Sequence, residues 1–203
     1  MDLGKLGVWY FLDGLSTEDS IRAAQKIESL GYGALWLPET VGKDPLTTSS
    51  LLLNVTTKLH LATGIVNIYH REPGVILAAQ KTLAEQSQNR FVLGMGVSHK
   101  PLVEGVRGLE YGPPVKTMRD YLSKMEASPY TGIASSEKPT TLIAALGPKM
   151  LELAAEKTDG AHPYFTSPEH TEFARKILGK DKKLCVEQKV MLEPDLSKAR
   201  DLA

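Results

Sequence analysis

The segment Arg90-Phe91-Val92-Leu93-Gly94-Met95-Gly96-Val97-Ser98-His99-Lys100 decides the fold. Its apolar run, Phe91 to Val97, is too short for a helix and apolar on both faces, which suits a strand covered on both sides in a parallel sheet. Glycines inside such a strand give up packing and mark a place where other backbone or a ligand comes close. The same layout recurs at Leu61-Ala62-Thr63-Gly64-Ile65-Val66-Asn67 and at Thr141-Leu142-Ile143-Ala144-Ala145-Leu146-Gly147-Pro148. Three buried strands therefore carry Gly and small polar groups to their C-terminal ends, where open and closed α/β sheets build their sites.

Outward from that segment, strand and helix patterns alternate. Leu6 to Leu12 reads as the first strand, and Ser16-Thr17-Glu18-Asp19 supplies a cap and early acids for a helix carrying Ile21, Ala24, Ile27 and Leu30, stopped by Gly31. Ala34 to Leu37 is the second strand, Pro45 to Thr57 a helix and Leu59 to Val66 the third strand. Pro73 opens the next helix, with Ile76, Ala79 and Leu83 on one face. A looser stretch, Pro101 to Pro139, holds one helix near Val115 to Met125. The rhythm resumes with a strand at Thr141 to Leu146, a helix from Pro148 to about Thr158 and a short strand at Ala161 to Phe165. Ser167-Pro168-Glu169 starts a helix ended by Gly179. Leu184 to Leu192 reads as a seventh strand, with Leu184, Val186, Val190 and Leu192 on one face, and Pro194 to Ala203 as a last helix. Units of about 25 to 30 residues fit a TIM-type (β/α)8 barrel occupying residues 1–203 as a single domain. About seven units are visible where such a barrel needs eight, so the expected fold is C-terminally incomplete: a truncated chain, or a reduced barrel that covers its gap by dimerising.

Composition narrows the function classes. The 203 residues carry 24 basic and 24 acidic side chains, and this zero balance supports neither a nucleic-acid nor an anionic-membrane partner. A single cysteine, Cys185, forms no internal disulfide and fits a reducing compartment; with no secretory segment or membrane-length apolar run, the expected location is the cytoplasm. No Gly-x-Ser-x-Gly elbow or His-Glu-x-x-His motif is present, and the scattered histidines suggest no metal site. Gly94-x-Gly96 resembles part of a dinucleotide fingerprint, but His99 stands where the third glycine belongs.

Five segments in order resemble the luciferase-like flavin and deazaflavin oxidoreductases, in particular the actinobacterial coenzyme F420-dependent group. They are Gly33-Ala34-Leu35-Trp36-Leu37-Pro38-Glu39, Ala62 to Asn67, Arg90 to Ser98, Ala144 to Ala155, and Asp159-Gly160-Ala161-His162-Pro163-Tyr164. The resemblance implies a non-proline cis peptide after the third strand, behind the cofactor ring; the matching bond is Gly64-Ile65, followed by Val66 and Asn67. It also implies that Gly96-Val97-Ser98 lines the ring's pyrimidine side. The turn Ala145-Leu146-Gly147-Pro148 would lead into a helix whose amides face ribityl or phosphate oxygens, although a plain helix start explains it equally. Family members run further and supply an eighth βα unit.

Glu39, after the second strand, is expected near the reacting edge, or else is a solvated loop acid. His99 and His162 sit at strand ends, where an imidazole suits proton transfer. His70 and Arg71 either reach the site or cap the following helix; His60 reads as structural and His170 as surface. The leading expectation is hydride transfer between coenzyme F420 and an organic substrate. An FMN-dependent monooxygenase and a shortened, non-catalytic flavin-binding or dimer-partner protein are the alternatives. The implied partners are a small-molecule substrate and a second copy in a homodimer packed through helices beside the early strands.

Overall fold

The computed structural model describes residues 1–202. Its core is one parallel sheet with the spatial order β1-β2-β3-β5-β6-β7-β8. The strands are β1 (Gly7–Trp9), β2 (Ala34–Leu37), β3 (His60–Thr63), β4 (Val66–Asn67), β5 (Phe91–Gly96), β6 (Thr140–Ile143), β7 (Gly160–Ala161) and β8 (Lys183–Leu184). β4 continues β3 beyond a bulge and also pairs with β5. The result is a curled, incomplete (β/α) barrel with seven strand positions, and β1 and β8 form its open edges.

The helices are α1 (Thr17–Ser29), α2 (Pro45–Val55), α3 (Pro73–Gln86), α4 (Pro114–Ala127), α5 (Pro148–Lys157), α6 (Pro168–Leu178) and α7 (Leu196–Leu202). Proline opens five of them, α2 to α6, where its missing N–H costs nothing and its fixed φ favours the first turn. Ser16, Asp44, Glu72 and Ser167 cap α1, α2, α3 and α6 by accepting from first-turn amides. No described helix is long and apolar enough to cross a membrane.

Strand alternation divides the core into two unequal layers. Leu35, Leu61, Phe91, Leu93, Met95 and Ile143 face outward against helix residues such as Leu52, Ile76 and Leu151. At roughly 1.5–3 kcal/mol per fully buried large apolar side chain, this outer layer holds most of the burial energy. The inner layer is small: Ala34, Trp36, Ala62, Val92 and Leu142, joined by Met1, Leu3, Trp9 and Cys185. The N-terminal segment closes the lumen from below. A Cβ on Gly33 would lie 2.0 Å from the Leu3 carbonyl, and Lys183 Nζ donates to Met1 O at 2.8 Å, tying the β8 edge to the chain start.

Several boundaries differ from those read in the sequence. β1 is shorter, ending at Trp9. The third strand breaks at Gly64-Ile65, whose peptide bond is cis. The stretch after β5 contains a π-helical turn, Pro101–Val106, before α4. β7 stops at Ala161. The expected strand Leu184 to Leu192 holds its ladder only as far as Glu187, whose N–H donates to Pro163 O at 2.9 Å. Val190 and Leu192 are almost fully exposed, so they share no buried face with Leu184, because no other strand among the described residues covers them. The last helix begins at Leu196, and its expected end at Ala203 lies outside the described residues.

The glycines of β5 have a local cause. A Cβ on Gly94 would stand 2.0 Å from the Thr63 carbonyl oxygen, and one on Gly96 2.8 Å from Ile65 Cδ1. The close approach expected at this strand is therefore the protein's own bulge. Gly94→Ala is expected to prevent folding or to lower the melting temperature severely, since the obstruction is buried backbone that cannot move aside. Gly14→Ala, at a position with nothing within 4 Å, is expected to melt close to the parent. Thermal unfolding of the pair checks both.

Candidate active site

The C-terminal mouth of the half-barrel is organised around the bulge between β3 and β4. Backbone groups of the bulge are held by residues from neighbouring strands and the loops that follow them. Thr63 Oγ1 donates to Gly94 O at 2.7 Å and accepts from Gly94 N at 2.9 Å, replacing the ladder bonds that the bulge interrupts. Gly64 N donates to Leu37 O at 2.8 Å, and Gly64 O accepts from Trp9 Nε1 at 2.8 Å. Ile65 O accepts from Glu39 N, and Asn67 N donates to Glu39 Oε2 at 2.7 Å. The consequence is an Ile65 side chain resting on Gly96, with Ala144 close to the same glycine and Val97 and Ser98 following it in the chain; all four are partly exposed.

Glu39 belongs to a buried charge network. Arg71 Nη1 lies 2.6 Å from Glu39 Oε1, and His70 Nδ1 lies 3.3 Å from Oε2; only 7% of the Glu39 side chain and 13% of the Arg71 side chain are exposed. Arg71 also pairs with Asp44, the α2 cap. Burial opposes the charge on Arg71, but Glu39 and Asp44 outweigh it and hold its pKa above the ordinary value. Burial likewise opposes ionisation of Asp44, yet the Thr47 amide and Arg71 keep its pKa low. Asn67 Oδ1 accepts from Tyr69 N, so its Nδ2 donates to His70 Nε2; this assigns the His70 proton to Nδ1, facing Glu39. Tyr121 Oη, from α4, donates to Arg71 O at 2.8 Å.

His162 follows β7 and is 4% exposed. Its ring stacks on Trp36 with centroids 4.5 Å apart, and Nδ1 lies 2.7 Å from Cys185 O, an acceptor, so Nδ1 carries the proton. Nε2 is buried without a partner and faces Gly64; a Cβ there would sit 3.0 Å away. His99, in contrast, is exposed, and its carbonyl accepts from Leu102 N and Val103 N at the start of the π-helical turn. The three candidate proton-handling residues are thus not gathered on one surface: Glu39 is locked beside the bulge, His162 lies behind it and His99 stands at the rim.

The other candidates divide similarly. Val66 and Asn67 are buried, and the Asn67 side chain is fully engaged within the protein. Gly96 is buried under Ile65, whereas Ser98 has φ +56° and offers its carbonyl to Tyr111 Oη at 3.3 Å. Ala145 is buried, and Leu146, Gly147 and Pro148 are exposed. Gly147 caps α5 without any side-chain bond, leaving the first turn open. His170, expected at the surface, donates through Nε2 to Leu146 O at 2.8 Å and steadies this turn. Burial raises the Cys185 thiol to about 11, which makes it inert packing.

Sequence reading did not single out Thr63 or Glu187. Thr63 is a hydroxyl at the end of a mostly apolar strand and precedes a glycine, a visible signal. Glu187 is buried, and its Oε2 accepts from Phe165 N at 2.7 Å across 22 residues, which no local pattern announces.

The chain belongs to the luciferase-like monooxygenase family, whose model matches residues 12–180. A Mycobacterium tuberculosis protein provisionally named a coenzyme F420-dependent oxidoreductase is 29% identical, over 83% of this chain and 56% of its own length. The solved structure of the coenzyme F420-dependent tetrahydromethanopterin reductase from Methanopyrus kandleri superposes with a TM-score of 0.71 at 20% identity, covering 85% of this chain and 59% of that one. A monooxygenase from Streptomyces bottropensis superposes at 0.74 with 17% identity, covering 92% and 68%. These two likenesses establish the barrel fold. The chain spans about half the length of the curated relatives it matches.

Two outcomes are expected. Thr63→Val leaves the buried Gly94 N–H and C=O unpaired and is expected to cost about 2–4 kcal/mol in denaturant unfolding, with an unchanged m-value. The second concerns acid. Burial lowers the pKa of His162, and also that of His60, below the ordinary 6.5. The unfolded chain therefore takes up protons first, and stability that is complete above that value declines as pH falls through it. His162→Phe is expected to flatten the decline in melting temperature between pH 7.5 and 5.5, with His60 supplying what remains.

Proposed function

We propose that this chain belongs to an oxidoreductase that moves a hydride between coenzyme F420 and an organic substrate. The observation that carries the reading is the apolar platform at the mouth: Ile65, held by the bulge, with Val97, Ser98 and Ala144. A flat, largely apolar tricyclic ring fits such a surface, and the uncapped first turn of α5 at Gly147 fits a phosphate-bearing tail. When bound, the deazaflavin supplies a carbon centre that accepts or gives a hydride. The F420-dependent relative supports this cofactor over FMN, which remains the alternative for the same platform.

The residues divide the remaining work. Gly64, Ile65, Gly96, Val97 and Ser98 present the platform, and Ala145, Leu146, Gly147 and Pro148 form the turn beside it. Glu39 and His162 act as positioning residues, one fixing Ile65 O and Asn67 N, the other filling the lumen behind Gly64. In this reading His99, exposed three residues beyond β5, exchanges a proton with the bound molecule. A cytoplasmic homodimer completes the reading.

Fluorescence titration with coenzyme F420 and, separately, with FMN tests the proposal. Saturable F420 binding that Ala144→Leu abolishes without altering the melting temperature is expected. Stronger binding of FMN makes the monooxygenase reading the better one, and failure to bind either overturns the cofactor role.

A further inference from the structure

The mouth is asymmetric. β3, β5 and β6 bring Gly64, Gly96 and Ala144 to it, while β1 and the segment after β7 bring aromatic rings. Phe11 lies two residues past Trp9, the end of β1, and Tyr164 two residues past His162, just beyond β7. Trp9 joins the two sides, with its ring 4.9 Å from Phe11 and 5.8 Å from Tyr164 and its Nε1–H on the Gly64 carbonyl. Phe165 extends the wall, its ring 6.4 Å from that of Tyr164.

These rings are held in place yet poorly covered. Phe11 is 43% exposed, Tyr164 41% and Phe165 56%. Clustered apolar exposure of this size marks a contact surface, whereas a scattered ring would not. The wall is also built in advance. Phe165 has φ +50°, a left-handed conformation uncommon for a bulky residue, and the buried Glu187 carboxylate holds its N–H. Lys189 places its Nζ 4.4 Å over the Phe165 ring and 5.7 Å over that of Tyr164, and among the described residues it has no ion-pair partner. A free cation thus stands at the edge of an aromatic wall facing an apolar platform.

Building on the cofactor reading above, we propose that the substrate is a planar, conjugated ring system bearing an acidic group. Its ring lies against Phe11, Tyr164 and Phe165, and its anion meets Lys189. Aromatic contact favours flat rings through offset or edge-on geometry. A charge-assisted contact at Lys189 adds selectivity for the acid over a neutral analogue.

The test uses three probes on the full chain, with and without F420: 2-naphthoate, 2-naphthylmethanol and cyclohexanecarboxylate, followed by calorimetry. Binding of 2-naphthoate in preference to both others is expected. Lys189→Gln is expected to weaken 2-naphthoate about tenfold while leaving 2-naphthylmethanol unchanged. Phe11→Ala and Tyr164→Ala, both at exposed rings and checked by melting temperature, are expected to weaken both naphthyl probes. Equal affinity for all three probes, or a Lys189→Gln effect on F420 itself, overturns the proposal. The full pattern without any F420 binding upholds this ligand class and rejects the cofactor reading, so the two fail separately.

Discussion

The hydrogen bonds of Thr63 Oγ1 to both backbone groups of Gly94 are the constraint on which the mouth depends. β3 cannot continue its ladder with β5 once the chain bulges outward after Thr63. Without a substitute, the Gly94 N–H and C=O would be buried and unpaired, at about 1–3 kcal/mol each. A hydroxyl is the smallest side chain that both donates and accepts, so one threonine repairs both losses. The repair brings the Thr63 carbonyl so close to β5 that position 94 admits no Cβ. Ile65 then lies over position 96, and the platform follows.

A second layer of constraint fixes where the bulge points. Glu39 takes the Asn67 N–H with its carboxylate and the Ile65 carbonyl with its backbone, while Trp9 takes the Gly64 carbonyl. Because Arg71 pairs with Glu39, His70 lies beside it and Asp44 shares Arg71, contacts tie the end of β2 to the turn after β4 and the start of α2. Burying such a pair is costly, and removing one partner costs more than the pair contributes. In this structure the pair holds the surface of the bulge in place.

Much of this was legible in the sequence, and the exceptions share a cause. The buried strands, the helix starts at proline and the incomplete barrel follow from short-range periodicity and local chemistry. The glycines of β5 read correctly as a point of close approach, but not what approaches, since that is set by a strand about 30 residues earlier. Glu39 reads as a site acid from its strand-end position, yet its partners arrive from residues 67–71 through the fold alone. The pattern after Leu184 reads as too long a strand because Val190 and Leu192 continue its alternation, although among the described residues no neighbouring strand buries them. Alternation reports a capacity to pair, and pairing needs a partner.

The platform, the aromatic wall and the open turn at α5 all follow the C-terminal ends of parallel strands, where α/β barrels build their sites. Hydrogen–deuterium exchange of the chain with and without coenzyme F420 tests most directly whether the bulge is the cofactor's seat. The account expects slowed exchange in residues 64–67, 96–98 and 144–149, with little change elsewhere. Protection confined to other segments, or none in these three, would contradict it.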